Sequence, residues 1–412
     1  MVWCNIVKSL WSSDKWFVSP YNFVEDVVKN FKLPEKPIIH DTTLRDGEQQ
    51  AGIVFRKNEK IEIAMALDEA GVHRIEVGMP AVSKEDFEAI KEISKQGLNA
   101  MVMAFVRCLK GDVDLALKCD VPGVVMELPS SKHLLFYAYK WDEEKAIGRA
   151  VEAVEYAKSH GLFVTFFTID ATRAELDFFR KVVEAVHNHM DSLTFADTFG
   201  VCSPWAISYL INKFREFVKK PIEIHPHNDF GLAVANALTA IVSGAVGIHT
   251  TVNGIGERAG NAPLEEVVLA LELLLGVKTG VKLNKLYDLS KLVEKYSKVK
   301  LPPHKPIVGE TPFMIESGII AEWWLNVKDS KPTEVIPFTP ELIGRQKQVE
   351  LILGKKSGKA TIRYELSKLG VSETSEEDVT KILNDVKEKS IEKKAPLTRE
   401  EFLEIVKKYI RI

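Results

Sequence analysis

Residues 37–78 read PIIHDTTLRDGEQQAGIVFRKNEKIEIAMALDEAGVHRIEVG, and this stretch decides the fold. KPIIHD and HRIEVG are short, β-branched and apolar, as buried strands are. Between them KNEKIEIAMALDEAG carries apolar residues at helical spacing and stops on a glycine. Strand, helix, strand is the βαβ unit, whose two strands lie parallel because a crossover must join them. The same alternation then repeats. NAMVMAFV, GVVMEL, LFVTFFTI, DSLTFA, PIEIHP and VGIHTTV are strand-like, and KEDFEAIKEISKQG and EEKAIGRAVEAVEYAKSHG are among the helices between them. Eight such units across residues 37–280 predict an α/β chain folded as a (β/α)8 TIM barrel. A doubly wound open sheet is the competing layout, but no GxGxxG follows the first strand.

Outside the barrel the pattern changes. Residues 1–36 read as an aromatic-containing N-terminal extension. KLPPHKPIVG is a proline-rich connector inside a smaller linker subdomain, 281–360. Residues 361–412 read as a C-terminal helical subdomain, with SEEDVTKILNDVKEKSIEKK its clearest helix. The 412 residues are 46% hydrophobic and 27% charged, ordinary for a globular protein. A formal charge of −3 offers no footprint for nucleic acid or a membrane surface. KEKSIEKK is a solvated helix face. No apolar run is long enough to span a bilayer, and MVWCNIVKSLWSSDKW lacks a secretory layout. Cys4, Cys108, Cys119 and Cys202 show neither metal-type nor redox spacing, which fits a reducing cytoplasm.

In a barrel of this kind, functional groups sit where strands end and loops begin. Arg45 and Asp46 follow the first strand. His225 and His227, in EIHPHND, end the seventh, and a period of two puts both imidazoles on one face. Glu257 and Asn261 lie in NGIGERAGN after the eighth. First, seventh and eighth strands are neighbours in a closed barrel, so these groups can converge. A carboxylate, two imidazoles and an amide form a mixed N/O site for a divalent ion such as Mg, Mn or Zn, with positions open for substrate.

LRDGEQ, HPHND and NGIGERAGN together resemble the signatures of the DRE-TIM metallolyases, in the branch of 2-isopropylmalate, homocitrate and citramalate synthases. The likeness runs from about residue 36 to the end and includes GKKSGKA, similar to the linker subdomain of those synthases. The larger isopropylmalate synthases carry a C-terminal allosteric domain that is expected to be missing here. The resemblance implies that Asp46, His225 and His227 hold the metal, with Asn261 as a fourth or outer partner. It implies that Arg45 stabilises the developing oxyanion and that Thr198, in FADTFG, binds the carboxylate of a 2-oxo acid. It also implies a homodimer in which one chain's linker subdomain covers the other's barrel.

Two departures matter. The synthases carry a Ser-x-Glu pair in the fifth strand, and aligning on DATR puts Phe167 and Ile169 there. Where homocitrate synthases place an arginine, this chain has Thr165. The E-S-G-x-H of the linker subdomain reads Glu316-Ser317-Gly318-Ile319-Ile320. An isoleucine cannot exchange a proton, so another base is needed. In VVMELPSS, Val125 and Glu127 share a face, and Glu127 is the expected replacement, pointing into the barrel mouth. Glu257, His133 and Asp170 are weaker candidates, with Asp170 one position out of register. Gln49 suits substrate recognition better than Glu48, which fits loop ordering. Arg107 suits either a substrate carboxylate or a helix cap, and Arg258 either its own loop or the substrate. The tryptophans of AEWWLNV are expected to pack inside the linker subdomain.

The expected activity is therefore a metal-dependent Claisen-type condensation of an acyl-CoA, most simply acetyl-CoA, with a 2-oxo acid. The competing enzyme is a lyase cleaving in the retro-Claisen or retro-aldol direction. Against it, those lyases resemble DGLQ and a cysteine-containing loop, where this chain has DGEQ and GERAGN. A non-enzymatic alternative is a metabolite-binding homologue that kept the metal and lost catalysis.

Overall fold

Every strand-like run of the sequence becomes a strand of one sheet. In the computed structural model, which describes residues 8–371 and 373–411, these are β1 (Ile38–Asp41), β2 (Arg74–Glu76), β3 (Met101–Arg107), β4 (Gly123–Pro129), β5 (Phe163–Ile169), β6 (Ser192–Asp197), β7 (Ile222–Pro226) and β8 (Gly247–Thr250). They run parallel in sequence order and close on themselves, with Asp41 of β1 opposite Thr250 of β8. Closure leaves no unpaired edge. The chain is a (β/α)8 TIM barrel.

Each strand is followed by a principal helix: α1 (Lys57–Ala70), α2 (Lys84–Ile93), α3 (Lys110–Lys118), α4 (Glu143–Ser159), α5 (Leu176–Val186), α6 (Pro204–Phe217), α7 (Ala233–Val242) and α8 (Leu264–Leu274). Local chemistry fixes their ends. Ser83, Asp142 and Ser203 each accept a backbone N–H from the first turn of α2, α4 and α6, and Pro204 starts α6 where its missing N–H costs nothing. Gly71 stops α1 with a φ of 88°, open to a residue without a Cβ. The helices lay aliphatic faces on the outward-pointing strand residues, and Ile39, Ile75, Val124, Phe166 and Ile224 are wholly buried in that shell.

Inside the barrel the packing is unusual. Interiors of this fold are normally filled by branched apolar side chains. Here a small apolar group of Met103, Phe105, Val125, Phe167 and Ala196 occupies the β3–β6 side. The β1, β2, β7 and β8 side is instead charged. His40, Arg74, Glu76, Glu223 and His249 are all buried, with Arg74 Nη1 2.7 Å from Glu223 Oε1 and His249 Nε2 3.4 Å from Glu223 Oε2. Burial drives the His40 imidazole down to about 4, so it stays neutral between Glu76 and Glu223.

Two compact units divide the chain: Pro20–Leu301 holds the barrel, and the described residues of Val7–Ser19 join those of Pro302–Ile412. The barrel unit also contains α9 (Leu286–Ser297). In the second unit, β9 (Met314–Ile315) pairs in parallel with β10 (Glu350–Leu351), and Trp16 bridges to Phe338. Its helices are α10 (Gly318–Val327), α11 (Lys359–Lys368), α12 (Glu376–Lys393) and α13 (Arg399–Val406). The last three enclose a core of Ile362, Leu366, Ile382, Val386 and Phe402. The tryptophans of α10 differ from expectation: Trp324 is half-buried, but Trp323 is 46% exposed, and Ile319 of the same helix is 76% exposed. No helix among the described residues is long and apolar enough to cross a membrane. Cys108, Cys119 and Cys202 are buried and free, and Cys4 lies outside the described residues.

Candidate active site

The loops at the C-terminal ends of β1, β7 and β8 meet. Asp46 Oδ2 lies 4.0 Å from His225 Nε2 and 3.9 Å from His227 Nε2, and the two imidazole nitrogens are 3.2 Å apart. All three side chains are buried. Ligand atoms 2.0–2.2 Å from a common ion stand roughly 3–4 Å from one another, so the spacing suits a single divalent cation. Burial lowers the pKa of both histidines, most strongly His225, which keeps them neutral and able to donate lone pairs. Asn261 Nδ2 donates to Asp46 Oδ2, while its Oδ1 is buried with no hydrogen-bond partner. The amide therefore holds the carboxylate in place and keeps one buried oxygen without a partner.

The loop after β8 must pass very close to this cluster. A Cβ on Gly256 would sit 2.1 Å from Asn261 Nδ2 and 2.9 Å from Asp46 Oδ2, so only glycine fits there. The donor set, the buried unpartnered oxygen and the cleared backbone together fit a metal ion.

Arg45 spans the floor of the mouth. Its Nε donates to Glu76, and its Nη1 donates to Asp46 Oδ1 at 2.8 Å and Gln49 Oε1 at 3.0 Å. Its Nη2 is buried and without a partner. The guanidinium carbon lies 4.1 Å from the centre of the Phe105 ring, which shields that face from water. A cavity of about 100 Å³ brings together Arg45, Asp46, Gln49, Thr198, His225, His227 and Glu257, with Glu127, Phe167 and Ile169 on the same wall. Thr198 Oγ1 accepts the Asp170 N–H at 2.8 Å, which leaves its hydroxyl proton free to donate.

Glu127 is in register with Arg107 and Phe167 on the neighbouring strands. Burial raises its carboxyl to about 7, opposed by the positive charges of Arg45 and Arg107. A group titrating near neutrality can both take and return a proton. Phe167 stands with its ring centre 5.1 Å from that of His225, in an edge-on contact, and Ile169 lines the same cavity, so neither position supplies an acid or base.

Other residues lie further out. The Arg107 side chain is 46% exposed, and its guanidinium is committed to Asp112 through two bonds of 2.8 and 2.9 Å. Glu257 reaches the cavity with its carboxylate 3.4 Å from Arg258. Arg258 braces three loops, through both Asp229 oxygens and the Thr198 carbonyl. Glu48 accepts the Phe55 N–H and pairs with Lys60. Asp170 is buried and held by Ser131, His133 and Arg173, which takes Asp170 and His133 out of the mouth. Sequence reasoning missed Glu76, His40, Glu223 and His249. Stepping back by two from His225 gives Glu223, so strand alternation alone could have found that member.

The chain belongs to the HMGL-like family, which it matches over residues 36–293. Among its relatives, a homocitrate synthase of Methanothermobacter thermautotrophicus is 41% identical over 95% of this chain and 98% of its own. A probable 2-isopropylmalate synthase of Ignicoccus hospitalis is 46% identical over 86% of this chain and 88% of its own. An (R)-citramalate synthase of Methanocaldococcus jannaschii is 44% identical over 85% of this chain and 70% of its own. In structure, the barrel is similar to an HMG-CoA lyase of Bacillus subtilis, with a TM-score of 0.61 at 20% identity, covering 66% of this chain and 97% of that one. That likeness speaks for the fold alone.

Proposed function

We propose that this protein catalyses a metal-dependent Claisen-type condensation of an acyl-CoA, most simply acetyl-CoA, with a 2-oxo acid, giving a 2-hydroxy dicarboxylate. The observation that carries the reading is the convergence of Asp46, His225 and His227 beside Arg45 and Glu127 in one mouth. A divalent ion held by Asp46, His225 and His227 would act there as a Lewis acid on the ketone.

The protein's own groups supply the rest. Thr198 donates its hydroxyl proton to the 2-oxo acid's carboxylate. Glu127 removes a proton from the acyl methyl, the resulting thioester enolate attacks the ketone carbon, and Glu127 returns the proton to the alkoxide so formed. Arg45 Nη2 offsets the charge that collects on the ketone oxygen, a contribution of the oxyanion-hole kind. Water then cleaves the thioester and releases CoA. The apolar wall of Phe105, Phe167 and Ile169 keeps bulk water away while the enolate exists.

Two broader features belong to the same reading. Ile319 and Trp323, exposed on α10, support a homodimer in which a second copy covers that helix. The free cysteines support a cytoplasmic enzyme.

The test is free-thiol release from acetyl-CoA with a panel of 2-oxo acids, in the presence of Mg, Mn or Zn. Metal-dependent release with one of them supports condensation. Cleavage of a branched hydroxyacyl thioester without any condensation would replace the reading with a lyase, and binding without turnover would replace it with a sensor. Light scattering of the purified protein reads the dimer.

A further inference from the structure

We propose that the cavity adjoining the metal cluster selects a 2-oxo monocarboxylic acid with an uncharged, apolar side chain, and that Glu127 is the residue that turns a second carboxylate away. This rests on the reading of the site as one that binds 2-oxo acids.

A second cavity of about 380 Å³ opens beside the first and shares Arg45, Gln49, Phe105 and Glu127 with it. A 2-oxo acid whose carboxylate and ketone lie at the cluster has this adjoining cavity beside it for its side chain. Its size lies within the usual range for a small-molecule pocket. Leu44, Ile53, Val54, Met79, Val82 and Phe105 give it an apolar wall, suited to an alkyl or aryl group.

The charges around that wall are unbalanced in one direction. Arg45 and Lys60 are the cations of the lining, against Glu48, Asp86 and Glu127. Lys60 is clamped between Glu48 Oε2, at 2.5 Å, and Asp86. Arg45 faces Asp46 and Glu76 as well. Lys60 is thus held by two carboxylates, and the one unpartnered nitrogen of Arg45, its buried Nη2, is taken by the ketone oxygen in the proposed reaction. Glu127 feels the charge of Arg45 and Arg107 but forms no close ion pair with Arg45 or Lys60, and it lines both cavities. A second carboxylate on the substrate would lose its hydration, find Lys60 already held by Glu48 and Asp86, and meet Glu127. An uncharged side chain meets only the apolar wall. Specificity here comes from a built-in repulsion as much as from attraction.

The experiment is calorimetric binding of 4-methyl-2-oxopentanoate and of 2-oxoglutarate to the full-length, Mn-loaded protein at about pH 8, where Glu127 is ionised. The monocarboxylate should bind about tenfold tighter or better. In Glu127→Gln, whose shape is unchanged, that gap should narrow at least about threefold through gained 2-oxoglutarate affinity. Equal or tighter binding of 2-oxoglutarate to the unaltered protein overturns the proposal, as does an unchanged gap in the variant. Binding of neither acid overturns it together with the 2-oxo acid reading. Thiol release is scored separately: selective binding without it removes condensation and leaves the selectivity standing.

Discussion

Glu127→Gln is the sharpest test of the chemistry. The substitution keeps volume and hydrogen-bonding capacity and removes only the ability to take a proton. Burial, opposed by Arg45 and Arg107, puts this carboxyl at about 7, where a general base is most effective. Ile169 sits on the same cavity wall and cannot substitute. General-base assistance is worth about 10²–10⁴ in rate, or about 3–5 kcal/mol of barrier. The variant should lose activity by that factor while its metal content is unchanged, because Glu127 is not one of the Asp46, His225, His227 cluster. The pH profile adds a second readout. A base must be ionised to act, so kcat/KM of the unaltered enzyme should rise with pH up to about 7 and then level. That limb should vanish from the residual activity of the variant. Thiol release measured across the pH range decides it: full turnover in the variant, or the same ascending limb, refutes the assignment.

Three further outcomes are expected. Arg45→Lys replaces a fork that reaches Glu76, Asp46 and Gln49 at once with a point charge; kcat should fall about 10²–10³-fold with metal binding retained, as stopped-assay kinetics beside metal analysis will show. Gly256→Ala places a Cβ 2.1 Å from Asn261 Nδ2; displacing this support of Asp46 should weaken metal affinity about 10–100-fold in a Mn titration, and unchanged affinity would remove Asn261 from the account. Asp41 is buried and its carboxyl is raised to about 7, by burial first and with Glu265 and Glu76 adding to it. The folded state therefore holds a proton that the unfolded chain gives up near 4, and stability falls as pH rises between those values. Asp41→Asn should remove that fall, so that its stability relative to the unaltered protein improves by roughly 2–3 kcal/mol between about pH 5 and 8 in denaturant unfolding.

The strand pattern was legible because a buried parallel strand must be short, apolar and bounded by a helix, and little else satisfies all three constraints. The face shared by His225 and His227 follows from alternation, and so does the inward aim of Glu127. The partners that individual side chains choose were not legible. That Arg107 would turn to Asp112, and Asp170 to Ser131, His133 and Arg173, depends on rotamers and on which partner lies nearer. Periodicity reports neither. The charged interior was missed for another reason. His40, Glu76 and His249 sit in runs whose neighbours are strongly apolar, and each alone looks like an exception. Only the closed register of β1 with β8 and β2 makes them one group.

That group sets terms for how the sequence can change over time. Replacing Glu223 alone would strand the guanidinium of Arg74 in a dry interior, and replacing Arg74 alone would strand the carboxylate. Either vacancy is worth about 3–5 kcal/mol, whereas exchanging Arg74 and Glu223 for aliphatic residues together with His249, which Glu223 also holds, is often close to neutral. A library of single substitutions should therefore find these positions frozen, while libraries that vary all three together find them open. Relatives that lack one partner should lack the other as well.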